Sequence, residues 1–389
     1  MKGRKLLMIP GPVEFSPEVL SALGQPTTSH VSPGFIECFG QCLEMMRRVF
    51  LAPTSQPFIV AGTGTLAMDM AASNLVEPGD RALVINTGYF GDRMGDMLCR
   101  YGAEVDHLDA PVGDVACAER LREALEDKDY ALVAMTHVDT STGVLTDVKG
   151  LSAAAKDAGC LTIVDGVCGT AGAECRSDEW GVDVHLTASQ KAIGVPPGLA
   201  LVTVSKDAME TLENRQTPVA NYYADINNWL PIMQAYEARK GAYFGTPAVN
   251  LIYALHASLR EILDEGMEAR FARHRRLARA FRAGACALGL EMVPRTEELA
   301  APTLSALYYP EGIDASLTGH INANGVIVAG GLHPQISDQY FRVGHMGVCN
   351  ESDILATVGA IERALACMDH GFAAGAGVRA AQDVLSNSG

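Results

Sequence analysis

No Cys-x-x-Cys pair occurs among the ten cysteines, which fall at irregular intervals, so neither a zinc site nor a disulfide framework is expected. The cysteines read as buried thiols in a reducing compartment, and Cys38 and Cys42, four apart on an expected helix, as packing residues. Basic charge is scarce too: 30 Lys and Arg against 46 Asp and Glu give a formal net charge of -16. That argues against nucleic acid or an anionic membrane surface as a partner, since both need a basic footprint. Any anionic ligand must be held by local groups. The chain also lacks a long apolar run at its start, because Pro10 and Pro12 cut Leu6-Leu-Met-Ile9 far below the length of a signal or spanning segment. No Ser-Lys-Leu address closes it at Ser386-Asn-Ser-Gly389, and a cytoplasmic protein is expected. Internal repeats, the dinucleotide fingerprint and the Gly-Lys-Ser/Thr nucleotide loop are absent as well.

What is present suits a large globular chain: 389 residues, 48% of them hydrophobic, are enough for a large core. The expected organisation is an arm over 1–15, a large domain over 16–250, a smaller α/β domain over 251–370 that includes a connecting helix, and a tail over 371–389. Ser16 and Pro17 open a short helix to Leu23, and a second helix is expected over roughly 34 to 50. Pro57-Phe-Ile-Val-Ala-Gly-Thr-Gly-Thr65 is an apolar strand that breaks into glycines and leads to a helix over 66–76. Such a junction aims backbone N–H groups and a helix dipole at one point, which suits a phosphate, although many α/β proteins use it without binding anything.

Apolar strand-like runs recur between helical stretches at Ala82 to Asn86, Glu104 to Leu108, Tyr130 to Thr136, Leu161 to Asp165, Val182 to Ser189 and Ala200 to Ser205. Alternation of this kind predicts a mainly parallel sheet flanked by helices, with ligands beyond the C-terminal strand ends. Gly62 to Thr65, Thr87 to Gly91, His137 to Gly143, Asp165 and Lys191 all fall at those ends. From about 248 to 288 one helical stretch connects to strand candidates Leu290 to Val293, Thr303 to Tyr309, Val326 to Ala329 and Tyr340 to Gly344. A helix from Ser352 to about Met368 follows, and the tail reads as a short helix over Val378 to Leu385 or as disorder.

The chemistry centres on Lys191, which follows an alternating run and enters the turn Ala192-Ile-Gly-Val-Pro-Pro-Gly198. A rigid, partly desolvated position suits a neutral amine that attacks a carbonyl, whereas an arbitrary lysine there is more often a solvated loop residue. Asp165 ends an apolar strand, so its carboxylate is costly unless it meets a cation, and a protonated pyridine nitrogen is such a cation. An N-cap role is the alternative for Asp165.

These residues sit in a series of motifs: Pro10-Gly-Pro12, Gly62-Thr-Gly-Thr65, Thr136-His-Val-Asp-Thr-Ser-Thr-Gly143, Ser189-Gln-Lys191, Gly241-Ala-Tyr-Phe-Gly-Thr-Pro247 and Arg342-Val-Gly-His-Met-Gly347. With them the chain resembles the class V aminotransferases, which are fold-type I pyridoxal-phosphate enzymes, on their alanine-glyoxylate and serine-pyruvate side. Trp229-Leu-Pro-Ile-Met233 and Thr187-Ala-Ser-Gln-Lys-Ala-Ile-Gly194 draw it toward the fungal type. The resemblance implies pyridoxal 5'-phosphate as cofactor, with Lys191 as its Schiff-base lysine and proton carrier and Asp165 as the ring-nitrogen partner. It implies phosphate contacts from Thr63, Gly64 and Thr65 with Gln190 beside them, a stacked ring from Phe90 where many relatives have Trp, and a bond from Thr140 to the phenolic oxygen. Arg342 would clamp the substrate carboxylate, with Gly11 beside the substrate. Tyr243 and Thr246 would reach the phosphate of the other subunit of a homodimer. His137 and His345 are expected to be structural. The implied activity moves an amino group from alanine, or from serine or ureidoglycine, to glyoxylate. Gln190, rather than His, precedes the lysine, which speaks against a cysteine desulfurase, and the presence of both Lys191 and Arg342 speaks against a non-catalytic binding protein.

Overall fold

The computed structural model describes residues 5–387, so the first four residues of the expected arm and the last two of the expected tail lie outside it. The alternating strands build a seven-stranded sheet in the order Gln56–Ala61, Leu199–Val204, Val184–Ala188, Leu161–Asp165, Leu132–Thr136, Arg81–Asn86 and Glu104–Asp109. Only Leu199–Val204 runs antiparallel to its neighbours. Leu132–Thr136 and Val184–Ala188 are buried along their whole length; the first reads as an apolar run up to Thr136, whereas the second alternates, with His185 and Thr187 buried among its apolar residues. The edge strand Glu104–Asp109 has no fully buried residue. Because the remaining six strands run one way, Ala61, Asn86, Thr136, Asp165 and Ala188 end at one rim.

A second, antiparallel sheet pairs Leu304–Tyr308 with Tyr340–Gly344 and Tyr340–Gly344 with Ala329–Gly330. The stretch Val326 to Ala329, read as one strand, is divided because two partners claim it: Val326–Ile327 pairs in parallel with Leu6–Leu7 of the arm. Leu290 to Val293 forms no strand, and only Met292 bridges Leu307. The helical stretch expected over 248–288 is two helices, Val249–Glu265 and Met267–Cys286, which part at Gly266 (φ 82°). The tail forms a helix, Ala376–Ser386, packed on Met267–Cys286.

The buried side chains fall into clusters that match these layers. One surrounds the face of the large sheet that carries Val60, Ala134 and Ile163; a smaller one takes Leu83, Val133 and Val164 on the other face. A further cluster joins Phe281, Phe341, Ile361 and Leu385, and Met8 of the arm belongs to it. The arm is thus held by this second layer before it turns toward the rim: Gly344 N donates to Met8 O at 2.9 Å.

Candidate active site

The strand Val184–Ala188 ends three residues before Lys191, in a turn closed by Val195 N donating to Ser189 O (2.9 Å) and Ser189 Oγ donating to Pro196 O (2.8 Å). Other elements brace it. Val13 N of the arm donates to Gln190 O at 3.1 Å, and Arg270 Nη2 of the helix Met267–Cys286 donates to Ala192 O at 2.7 Å. Lys191 Nζ donates to Pro10 O, a carbonyl that the Cys168 thiol also approaches at 3.8 Å. Gly11, at φ +105°, lies so close that a Cβ there would sit 2.7 Å from Lys191 Nζ. Only glycine fits both that backbone and that contact.

Asp165 ends its strand 2% exposed, and its Oδ1 accepts from Val167 N at 2.9 Å. Burial is the main reason its carboxyl is pushed up to about 6; Asp139 adds to the rise, while Lys191 and Arg93 oppose it. No ion pair holds it among the described residues, so the carboxylate is available to a cation. It does not cap a helix: its side chain only steadies the turn into Val167.

Thr63 is the N-cap of the helix Gly64–Leu75, and no side chain caps that end. Its first N–H groups therefore point outward unpaired, which is the condition an anion satisfies. Gly64 sits with Val167 Cγ2 2.9 Å from where its Cβ would be, so the backbone lies directly against the Asp165 loop. The buried Gln190 Oε1 has no hydrogen-bond partner, an unmet acceptor next to Lys191. An uncapped helix start, an unpaired buried carboxylate, an orphaned amide oxygen and a lysine gathered at one rim fit pyridoxal phosphate. The phosphate, ring nitrogen and aldehyde would each find a group of complementary chemistry there.

Phe90 lies in the first turn of Tyr89–Arg100, edge to face with Tyr89 (5.3 Å between centroids). Arg93 stands over both rings, 4.9 Å from the Phe90 centroid, and its Nη1 is 3.5 Å from Thr65 Oγ1. The narrower face of Phe90 is thus backed by a cation that also reaches the turn over 63–65. Thr140 is buried, and its carbonyl accepts from Arg342 Nη1 (3.1 Å) while Gly330 O accepts from Arg342 Nε (2.8 Å). Two backbone carbonyls aim the Arg342 guanidinium, which forms no ion pair among the described residues. Tyr243 is 66% exposed and lies against His30 at 5.6 Å; Thr246 is exposed as well. Neither is drawn into the rim of its own chain.

His345 is held at both nitrogens, by Ser305 Oγ (2.9 Å) and Pro302 O (3.1 Å), whereas His137 is buried with its Nδ1 unpartnered. Arg93, Asp139 and Pro10 O belong to the rim without having been singled out in the sequence. Asp139 stands just before Thr140 and Arg93 three after Phe90, so motif position was the available signal.

The family model described as aminotransferase class-V matches residues 16–349. The alanine-glyoxylate aminotransferase 1 of Saccharomyces cerevisiae is 42% identical over 366 residues, 90% of this chain and 94% of that one. The L-aspartate-glyoxylate aminotransferase of Paracoccus denitrificans is 36% identical, covering 98% and 96%. Among solved structures, the ureidoglycine-glyoxylate aminotransferase of Bacillus subtilis superposes with a TM-score of 0.93 at 29% identity, over 100% of this chain and 99% of that one. With the fold, the rim and these relatives in agreement, the chain belongs to the class V aminotransferase family.

Proposed function

We propose that this protein is a pyridoxal-phosphate-dependent transaminase that moves the amino group of a small amino acid, alanine first, to glyoxylate, giving pyruvate and glycine in two half-reactions. One observation carries the reading: Lys191, Asp165, the uncapped turn at Thr63 and the unpaired Arg342 converge at one rim. The relatives support the acceptor, since the proteins from yeast, Paracoccus and Bacillus are all glyoxylate aminotransferases while their donors differ. Serine and ureidoglycine are the alternative donors.

When bound, the cofactor supplies an electron-accepting ring and an aldehyde that stores the amino group between half-reactions. The chain's residues do the rest. Thr63, Gly64 and Thr65 offer N–H groups to the phosphate, and Gln190 stands beside them. Phe90 would stack on the ring with Arg93 behind it, Thr140 would meet the phenolic oxygen, and Asp165 would keep the ring nitrogen protonated. Arg342 grips the α-carboxylate of donor and acceptor in turn, a planar two-point task suited to guanidinium. Gly11 leaves room beside Lys191, whose Nζ takes the proton from the donor Cα. Tyr243 and Thr246 of the partner subunit complete the phosphate site of a homodimer. We place the protein in the cytoplasm: among the described residues no helix is long and apolar enough to cross a membrane, and all ten cysteines are free.

The test is an absorbance scan of the purified protein, followed by donor titration with glyoxylate as acceptor. A cofactor band that alanine alone converts to the amine form, and that glyoxylate restores, is the expected result. A protein with no such band, or a band indifferent to every small amino donor, overturns the proposal.

A further inference from the structure

Asp139 is a carboxylate with 0% exposure in the loop His137 to Gly143, and no ion pair holds it among the described residues. Its oxygens accept from Ser141 N (2.7 Å), Ser141 Oγ (2.5 Å) and Thr87 Oγ1 (3.3 Å). Thr87 belongs to a different loop, so this cluster is a knot between two strand ends. Ser141 Oγ also takes the N–H of Tyr89 (3.1 Å), and Thr142 Oγ1 donates back to Thr87 O (3.3 Å). The fit is tight: Gly88 has φ +152°, and a Cβ on it would lie 2.4 Å from Ser141 Oγ and 3.1 Å from Asp139 Oδ2.

Each loop leads to one half of the site. The Thr87 loop runs into Phe90 and Arg93. The Asp139 loop carries Thr140, whose carbonyl aims Arg342, and Ser141, whose carbonyl accepts the Tyr340 hydroxyl. A knot alone does not require a negative charge, and burying an unpaired carboxylate is costly. The charge has a second address. His137 N, two residues before Asp139, donates to Asp165 O at 2.9 Å, so this loop leaves the sheet beside Asp165. Asp139 raises the proton affinity of Asp165 there, and burial raises that of Asp139 itself, so the two carboxylates bear on one place. The charged groups around them are Lys191 and Arg93 facing Asp165, His333 facing Asp139, and Arg342, which Asp139 also faces. A cation brought against Asp165 therefore gains from both carboxylates.

We propose that Asp139 is a positioning residue with two tasks: it locks the Phe90 loop to the Thr140 loop, and its charge, adding to that of Asp165, helps keep the cofactor ring nitrogen protonated. The inference rests on the cofactor reading given above, and the two can fail separately.

Removing a negative charge near a protonated nitrogen lets the proton leave at lower pH. The probe is pyridoxal phosphate labelled with 15N in the ring and bound to the full-length protein, with the ring-nitrogen NMR shift followed against pH. In Asp139→Asn the nitrogen should lose its proton about one pH unit lower than in wild type. The half-reaction with alanine should slow about tenfold, with KM within about twofold, as expected when charge rather than substrate binding is altered. Thr87→Val removes the one bond from Asp139 to the Phe90 loop and keeps the charge, so it should release cofactor several-fold faster while the nitrogen titrates as in wild type. If Asp139→Asn does not fold, Asp139→Ser, neutral and smaller, answers the same question. A neutral variant whose ring nitrogen titrates like wild type overturns the charge role, and Thr87→Val with wild-type release overturns the lock. A wild-type protein that takes up no pyridoxal phosphate would instead overturn the proposed function.

Discussion

Lys191 and Arg342 arrive at the rim from different sheets, and each is aimed by backbone carbonyls rather than by a carboxylate: Pro10 O for the lysine, Thr140 O and Gly330 O for the arginine. A side chain held this way keeps its charge free for a ligand. Lys191→Ala should therefore fold and retain some cofactor, yet transaminate at a rate indistinguishable from background; turnover at the native rate would remove the lysine from the chemistry. Arg342→Lys loses the planar two-point contact with a carboxylate, worth about 1.5–3 kcal/mol for a bond to a charged group. Its KM for both alanine and glyoxylate should rise by about 10- to 100-fold, and an unchanged value for either would take Arg342 out of the clamp. Both residues were legible from their motifs and their distinctive chemistry, although Arg342 sits in the middle of the strand Tyr340–Gly344 and Lys191 three residues past Val184–Ala188. Asp139 was not legible, since an aspartate among threonines and serines looks like turn chemistry until its burial is known.

Elements were readable where one period dominates and unreadable where two partners or one awkward residue intervene. The strands of the large sheet follow from apolar runs, whereas Ile226–Glu237 is a helix despite Pro231 in its interior. Tertiary packing decides there: Trp229, Ile232, Met233 and Tyr236 are all buried, an amphipathic face that outweighs one lost bond. The tail is the same case in reverse, because its Gly- and Ala-rich sequence is compatible with helix or disorder. What fixes it is the surface it covers: Ala381 and Leu385 are buried, and a Cβ on Gly377 would lie 3.0 Å from Gly284 O. Leu385→Ala should lower the unfolding free energy by about 2–3 kcal/mol in urea titrations, without altering the cofactor band. A cost near zero would mean that the helix is not docked in solution.

At the scale of the whole molecule, two properties belong to no single element. One is acid stability, because burial lowers the proton affinity of His137 to about 4 and of His185 and His345 to about 3. The unfolded chain protonates these imidazoles near pH 6.5 and the folded chain does not, so stability falls as pH drops from about 6.5 toward 4, by about 1 kcal/mol per pH unit for each histidine. Asp165, raised to about 6, works the other way, as do Asp139 and Glu261, which burial also raises, while buried His274, likewise lowered, adds to the histidine side. The net expectation for the cofactor-free protein is a melting temperature lower at pH 5 than at pH 7, and an equal or higher one would contradict the burial of the histidines. The second is the proposed sharing of the site between two chains. Tyr243 and Thr246 are exposed in their own chain, so if they serve the partner subunit, each site needs two chains. A Lys191→Ala homodimer should then be inactive, and a Tyr243→Phe/Thr246→Ala homodimer should hold cofactor poorly. Unfolding and refolding the two together allows mixed dimers, in which one site combines both defects and the other has intact Lys191 from one chain and intact Tyr243 and Thr246 from its partner. Random pairing in a two-fold dimer makes half of the dimers mixed and repairs one site in each, restoring about a quarter of native site activity when both variants refold equally. Should the mixture stay as inactive as its parents while native mass measurements detect heterodimers, these residues do not act across the interface, and each chain must close its phosphate site alone.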